Sequence, residues 1–168
     1  MTVGTEIRRF RWEDVEGFTH LFNAINGIAD SGKASDPDFM RQFLSQPSCK
    51  PETHCFMAER DGSLIGFALV SSEPPISRAV VSGGVLAEHR KQGIGRRLVR
   101  TAIEHVAELK ASVINIQAPA GGAAARQLLE SEGFETVKNY WQMRWEGDNL
   151  ASIDLPPGFS LRPFKLDQ

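Results

Sequence analysis

Hydrophobic residues recur along this chain with the two periods that are typical of strands and of helices. Residues 6–10 predict a short strand, and apolar positions at helical spacing over residues 15–25 predict a helix that ends at Asn26-Gly27. A second helix is predicted from Asp36-Pro37, because proline suits a first helical turn. The N-terminal part of the chain therefore predicts one strand followed by two helices.

Two apolar runs come next, at residues 54–59 and 63–70, and Asp61-Gly62 separates them. This dipeptide indicates a β-hairpin, because a tight hairpin turn needs positive φ angles. Residues 79–86 predict a further strand, which contains Gly83-Gly84. Paired glycines inside a strand predict a bulge, or a place where a ligand lies close against the backbone.

A long amphipathic helix is predicted next, with one apolar stripe running from Ile94 to Leu109. The strand predicted at residues 112–118 follows it, and a strand–helix–strand unit of this length indicates a parallel crossover. A second amphipathic helix at residues 121–132 ends at Gly133, and residues 136–145 predict a final, aromatic-rich strand. These elements together predict an α/β (α+β) fold.

Composition narrows the class of protein. The chain has 168 residues, of which 41% are hydrophobic and 24% charged, as expected for a soluble globular domain. Its net charge of −2 argues against nucleic-acid binding, and no apolar run is long enough to span a membrane, so we expect a cytoplasmic protein. Cys49 and Cys55 form no C-x-x-C pair and the four histidines are scattered, so no metal site is predicted.

The main candidate for a functional segment lies between the strand at 79–86 and the long helix. It is the segment Arg90-Lys91-Gln92-Gly93-Ile94-Gly95-Arg96-Arg97, with Glu88 as the acidic residue nearby. Cations at a helix N-terminus are unfavourable unless an anion is bound, and phosphate is the usual one. A solvated basic turn is the alternative. A dinucleotide fingerprint would need a glycine where Leu98 stands, and the chain contains no P-loop.

Residues 85–98 resemble the central motif of the GNAT superfamily of N-acetyltransferases, which typically reads V-x-P-x-x-R-x-x-G-x-G. Ala87 replaces the common proline. A helix that ends in Gly133-Phe134 is a second hallmark of that family, and the order of elements agrees over residues 6–145. The resemblance therefore covers nearly all of the chain.

The resemblance implies a mixed, mostly antiparallel sheet with a central parallel βαβ crossover and flanking helices. The sheet would be splayed at the glycine bulge, and acetyl-CoA would lie in the gap. Backbone groups of Val85 and Ala87 would pair with the pantetheine arm, and N–H groups from Lys91 to Arg96 would hold the pyrophosphate. The implied cofactor-binding residues are Val85, Leu86, Ala87, Arg90, Lys91, Gln92, Gly93, Ile94, Gly95 and Arg96.

The implied reaction is transfer of the acetyl group to an amine of a small molecule or peptide. It needs a neutral amine, an oxyanion donor near Val85 and a proton source for the departing thiolate. The family commonly supplies that proton from a tyrosine whose position is Leu129 here. Tyr140 and Glu88 are the candidate catalytic residues, with Glu73 and His89 as further bases by proximity alone. A silent acetyl-CoA-binding domain is therefore the alternative function.

The domain organisation is predicted in three parts: a GNAT domain at 1–147, a linker at 148–157, and the first strand of a truncated second GNAT repeat at 158–168. Leu161-Arg162-Pro163-Phe164-Lys165 runs in step with Ile7-Arg8-Arg9-Phe10-Arg11, after the break at Pro156-Pro157-Gly158. Mycothiol-synthase-like proteins are tandem members of this kind. A simple tail or the family's own final strand are the alternatives. The predicted partners are acetyl-CoA, an amine acceptor, and a second GNAT domain or a homodimer partner, without nucleic acid or membrane.

Overall fold

The computed structural model describes residues 4–26, 34–47, 49–119, 121–141 and 154–163. The chain divides into two compact units, residues 1–135 and residues 136–168. The helices and strands that the structure describes all lie in the first unit. They are β1 (Glu6–Arg9), α1 (Val15–Ile25), α2 (Pro37–Leu44), α3 (Pro51–His54), β2 (Cys55–Arg60), β3 (Ser63–Glu73), β4 (Arg78–Val85), α4 (Ile94–Glu108), β5 (Val113–Ile116) and α5 (Ala123–Ser131).

The strands form one sheet in the order β1-β2-β3-β4-β5. The first four strands are antiparallel neighbours, whereas β4 and β5 are parallel and α4 connects them. This arrangement confirms the predicted mixed sheet with a single parallel crossover. Within the described residues, no helix has both the length and the apolar character needed to cross a membrane.

A hydrophobic cluster covers each face of the sheet. On one face the apolar stripe of α4 (Ile94, Leu98, Ala102 and Val106) packs against the sheet. On the other face α1 and α2 pack against the sheet, and the ring centroids of Phe18 and Phe67 lie 5.0 Å apart. The sheet is therefore the middle layer of three, as the amphipathic patterns of the helices predict.

Local signals in the sequence position the predicted turns and helix starts correctly. Asp36 begins α2, and its Oδ1 accepts a hydrogen bond of 2.7 Å from the Phe39 N–H, with Pro37 as the first helical residue. Asp61 and Gly62 have φ angles of +52° and +75°, as a tight hairpin turn requires. The predicted β2–β3 hairpin is thus confirmed together with its turn.

The predicted bulge at Gly83-Gly84 is wrong. The β3–β4 register runs without interruption from Gly66 opposite Val85 to Glu73 opposite Arg78, and the register shift of this sheet lies in β2, between Ala58 and Glu59. At both glycines the chain packs closely on its neighbours, and the alternative, a ligand that lies against the backbone here, stays a prediction. A Cβ atom on Gly83 would lie 2.3 Å from the Phe67 carbonyl oxygen, and one on Gly84 would lie 2.5 Å from the Ile25 Cγ2.

The predicted final strand at residues 136–145 is also absent from the part of it that the structure describes, residues 136–141. Residues 136–141 form no strand, and Val137, Tyr140 and Trp141 are 84%, 75% and 91% exposed. Alternation of apolar side chains predicts a strand only if a neighbouring strand pairs with it. The rest of that prediction, residues 142–145, lies outside the described residues. In the same unit, Gly158 has a φ of +89° and the Phe159 N–H donates to the Pro156 carbonyl, so the predicted break forms a turn.

Two buried histidines connect the beginning of β2 to the end of α4. The His54 Nδ1 lies 2.7 Å from the His105 Nε2, and the His105 Nδ1 lies 3.1 Å from the Glu108 Oε2. Both imidazoles are less than 9% exposed. Burial, reinforced by the charge that His105 can carry, lowers the pKa of His54. Lys50 and Arg9 lower the pKa further, and a backbone hydrogen bond at Thr53 opposes them.

We expect this histidine pair to make folding stability depend on pH between about 7.5 and 5.5. The pKa of His54 is lower in the folded chain than its ordinary value, so the unfolded chain binds more protons as the pH falls. The contribution of His54 to folding stability is therefore fully present above pH ~6.5 and is lost as the pH falls below that value. Thermal melts at the two pH values should show a lower melting temperature at pH 5.5.

The matched test of this pH dependence compares His54→Gln with His20→Gln, since His20 is an exposed histidine of α1. The His54→Gln protein should lose less stability between pH 7.5 and 5.5 than the wild type, even if it is less stable at both. The His20→Gln protein should follow the wild type. Parallel curves for wild type and His54→Gln would contradict the assignment.

Candidate functional site

The sheet opens at the C-terminal end of β4. The pairing between β4 and β5 ends at Val81 opposite Ile116, whereas β4 continues to Val85. The Leu86 N–H donates to the Ile65 carbonyl at 2.9 Å, so Leu86 and Ile65 form a hydrogen-bonded pair of the antiparallel ladder. Because such pairs alternate, the backbone N–H and C=O of Val85 point away from β3, towards the side where β5 has ended.

The residues after β4 use several of their backbone groups within the chain. The Val85 carbonyl accepts a hydrogen bond of 2.9 Å from the Arg90 Nε. A 3₁₀ turn follows at Ala87–His89, where the Leu86 and Ala87 carbonyls accept from the N–H groups of His89 and Arg90. The N–H groups of Val85 and Ala87 are thus the backbone groups that this segment can most readily offer to a ligand.

The N-terminus of α4 presents a cluster of backbone N–H groups. Lys91 and Gly93 have φ angles of +60° and +79°, and Gly93 is the residue that caps the helix. The first intrahelical bond runs from the Arg97 N–H to the Gly93 carbonyl at 3.1 Å. The N–H groups of Ile94, Gly95 and Arg96 therefore have no partner within the helix, a geometry that binds anions. The Ile94 side chain is buried and belongs to the core.

Partners within the chain hold most of the side chains around this helix start. Besides the Arg90 contact, the Gln92 Oε1 accepts from the Arg60 Nη1 at 2.9 Å, and the Gln92 Nε2 donates to the Glu88 carbonyl at 3.4 Å. The Arg97 Nη1 donates to the Thr5 carbonyl at 2.8 Å. Lys91 has no recorded hydrogen bond or ion pair to the described residues. The four cations of the segment are thus not equally available to a ligand.

The expectation that only Glu88 balances these cations is wrong. Glu132, at the end of α5, forms ion pairs with the Arg96 Nε at 2.9 Å and with the Arg100 Nε at 2.8 Å. The two guanidinium groups, Arg100 foremost, hold the pKa of Glu132 below its ordinary value. The partners are 32 and 36 positions apart in the sequence, so no local pattern indicated the pairing.

The end of α5 has the geometry that its sequence predicts. Gly133 has a φ of +89°, the Gly133 N–H donates to the Glu130 carbonyl, and the Phe134 N–H donates to the Leu129 carbonyl at 3.0 Å. This is a Schellman ending, which favours glycine at that position. A Cβ atom on Gly95 would lie 3.3 Å from the Leu128 Cδ2, so α5 packs closely against the first turn of α4. Leu129 itself offers no proton donor.

The candidate catalytic residues are distributed over both units of the chain. Tyr140 belongs to the second unit, where it is exposed and contacts Lys138. Glu88 is exposed on the 3₁₀ turn. Glu73 lies seven residues along the ladder from Val85, or ~23 Å away at the rise of a strand. Arg78 lowers the pKa of Glu73, so this carboxylate is a poor base.

Sequence reasoning missed a cleft on the α1 face of the sheet. Its volume is about 580 Å³, and α1, the β2–β3 turn, Leu86 and Glu88 line it. Arg8 lies at its edge, but Asp14 at 2.7 Å and Glu59 at 2.6 Å neutralise this cation. Gly17 and Leu64 are among the residues that line it, and no local pattern in the sequence indicates the cleft.

Comparison with known proteins gives a consistent family assignment. The model of the acetyltransferase (GNAT) family matches residues 15–134. The mycothiol acetyltransferase of Salinispora arenicola (strain CNS-205) is 29% identical over 116 residues, which are 68% of this chain and 36% of the relative. This chain therefore spans about a third of the length of the curated relative it matches.

Solved structures share the fold. A ribosomal-protein-alanine N-acetyltransferase from Brucella melitensis has a TM-score of 0.66 and 26% identity, covering 77% of this chain and 84% of that one. An aminoglycoside N-acetyltransferase solved in complex with CoA has a TM-score of 0.64 and 16% identity, covering 86% and 96% of the two chains. The overall fold of this chain is thus one that solved acetyltransferases share.

Proposed function

Because the chain belongs to the acetyltransferase (GNAT) family, we propose that it binds acetyl-CoA at the N-terminus of α4 and transfers the acetyl group to an amine. The observation that carries this proposal is the juxtaposition of two features. One is the end of β4, whose Val85 backbone points to an opened edge of the sheet. The other is the unpaired N–H cluster at Gly93 and the first turn of α4.

The residues at the start of α4 suit the pyrophosphate of acetyl-CoA, and those at the end of β4 suit its thioester. The N–H groups of Ile94, Gly95 and Arg96 would donate to the pyrophosphate, whose negative charge the helix N-terminus favours. Nothing in the described chain lies within 4 Å of the position of a Cβ atom on Gly93, so there is space for a phosphate beside this residue. The cradle is therefore compatible with a diphosphate ester.

The Val85 N–H would be the oxyanion donor. Negative charge develops on the thioester oxygen as the amine attacks, and a fixed N–H at that place stabilises the transition state. Arg90 binds the Val85 carbonyl, so the N–H is the backbone group of Val85 that is left for a ligand. The amine must arrive neutral, and the departing thiolate must receive a proton.

A second candidate function is binding of acetyl-CoA without chemistry. Leu129 stands where the resemblance expects the tyrosine that protonates the thiolate, and it has no proton to give. The match to about a third of a mycothiol acetyltransferase is consistent with this chain being one half of a tandem protein. In this proposal the acetyl transfer belongs to a second GNAT repeat that begins near residue 158.

Calorimetry followed by a transfer assay on the same sample tests both candidates. We expect acetyl-CoA to bind the wild type. Release of free CoA in the presence of aminoglycosides or of peptides with an N-terminal alanine, the acceptors named for related proteins, would support the transferase. Binding without any release would support the silent domain, and absence of binding would contradict both.

A substitution at Leu129 tests whether the missing acid is what separates a silent domain from a transferase. If the missing acid is what prevents turnover, Leu129→Tyr should raise CoA release at least tenfold over the wild type, a typical contribution of general acid catalysis being 10²- to 10⁴-fold. Leu129→Phe is the matched control, since it adds the ring without the hydroxyl. Equal rates for the two variants would contradict a role for the acid at this position.

A further inference from the structure

Glu132 holds two arginines of the first α4 turns through one carboxylate. Its Oε1 lies 2.9 Å from the Arg96 Nε and 3.2 Å from the Arg100 Nη2, and its Oε2 lies 2.8 Å from the Arg100 Nε. The Arg96 Nη2 donates a further hydrogen bond of 3.0 Å to the Ser131 Oγ. The carboxylate thus connects the end of α5 to the helix start that presents the N–H cluster.

The side chains of Glu132, Arg96 and Arg100 differ in their exposure to solvent. The Glu132 side chain is 8% exposed, whereas those of Arg96 and Arg100 are 51% and 62% exposed. The guanidinium groups border on solvent into which they can turn, whereas the carboxylate does not. An exchange of partners would therefore move the arginines and leave Glu132 where it is.

Arg96 lies where a phosphate at the N-terminus of α4 would compete for it. It is the third residue of the helix, and helical side chains are tilted towards the N-terminus. Arg100 is four residues further on and therefore on the same face of α4. A cation in the first helical turn is unfavourable without an anion beside it. In the free protein Glu132 is that anion.

We propose that Glu132 is an internal counter-ion that competes with the pyrophosphate of CoA for Arg96 and Arg100, and so limits how tightly the cofactor is held. This inference rests on the proposed acetyl-CoA site. It is not part of the family resemblance, because Glu132 is not among the motif residues that carry that resemblance. Glu132 acts through the arginines and is a positioning residue.

The test measures the dissociation constant and the dissociation rate of CoA for the wild type and for Glu132→Gln. The amide keeps the shape of the side chain and removes its charge, so both arginines become available to the phosphates. We expect Glu132→Gln to bind CoA roughly two- to fivefold more tightly, mainly through slower dissociation, since solvent screens ion pairs made by arginines that are more than half exposed. The gain should shrink when the salt concentration is raised from 0.05 to 0.5 M, as screening requires.

Three comparisons make the result specific. Glu130→Gln, a carboxylate on the same helix with no recorded partner in the described chain, should leave CoA binding unchanged. Arg96→Gln should reduce the gain of Glu132→Gln when the two substitutions are combined, because only Arg100 then remains to be released. Dephospho-CoA, which keeps the pyrophosphate but lacks the 3′-phosphate, should show the same gain as CoA, and loss of the gain with it would overturn the assignment to the pyrophosphate.

The failure of this inference can be told from the failure of the proposed function. A wild type that does not bind CoA would overturn both. A wild type that binds CoA, beside a Glu132→Gln protein of normal melting temperature that binds equally or less tightly, would overturn the counter-ion alone. Should Glu132→Gln fold poorly, Glu132→Asp provides the second variant: it keeps the charge but withdraws it from the arginines, and should bind more tightly than the wild type.

Discussion

Gly93→Val is expected to weaken the binding of CoA at least tenfold while the domain remains folded. Gly93 has a φ of +79°, which costs a β-branched residue ~1–3 kcal/mol, so the loop would leave its present conformation. The N–H groups of Ile94, Gly95 and Arg96 would then no longer converge on one point. If the conformation persisted, the new side chain would extend into the open space beside Gly93, where we place the phosphate. Calorimetric titration with CoA measures the effect.

Gly62→Val is the matched control for this loop glycine. Gly62 has a similar φ of +75° and equally open surroundings, but it belongs to the β2–β3 turn. Both variants should therefore lose a similar part of their folding stability, and only Gly93→Val should lose affinity for CoA. Equal affinity of Gly93→Val and the wild type would contradict the placement of the pyrophosphate at this helix start.

The fold was accessible to sequence reasoning because its signals are local and repeated. The apolar stripe of α4 from Ile94 to Val106 has the helical period over four turns, and Asp61-Gly62 specifies a turn that few other residues can form. Predictions that depended on a pairing strand elsewhere in the sequence were less successful. The aromatic pattern at residues 136–141 predicts a strand, but it carries no information on whether another strand pairs with it, and these residues form no strand.

The same contrast between local and distant signals applies to the candidate site. The backbone cradle at Gly93 can be predicted, because glycine spacing and the start of a helix are both written in consecutive residues. The side-chain partners cannot, since Arg96 meets Glu132 and Arg97 meets the Thr5 carbonyl, 36 and 92 positions away. The sequence therefore indicates where a helix start presents unpaired N–H groups, but not which of the surrounding cations are already paired.

Gly83→Ala is expected to cause the largest loss of folding stability, by about 3 kcal/mol, since overpacking of a rigid core costs 1–3 kcal/mol or more. The added methyl would lie 2.3 Å from the Phe67 carbonyl oxygen and 3.0 Å from the Ala68 Cα. Both are backbone atoms of the central strand β3, so the strain can be relieved only if β3 and β4 move apart. The midpoint of urea unfolding, measured with an unchanged m-value, gives the loss of stability.

Gly84→Ala separates this backbone clash from a general intolerance of side chains in β4. Its methyl would lie 2.5 Å from the Ile25 Cγ2, an atom at the end of a side chain in the last turn of α1. A side chain can shift more easily than a strand, even though a β-branched residue in a helix has one preferred rotamer, so we expect Gly84→Ala to lose about 1 to 2 kcal/mol. If the two glycines served a bulge, both alanines would be tolerated, because a bulged strand diverges from its neighbour. A larger loss for Gly83→Ala than for Gly84→Ala is therefore what distinguishes close packing of β3 on β4 from the bulge that the glycine pair predicts.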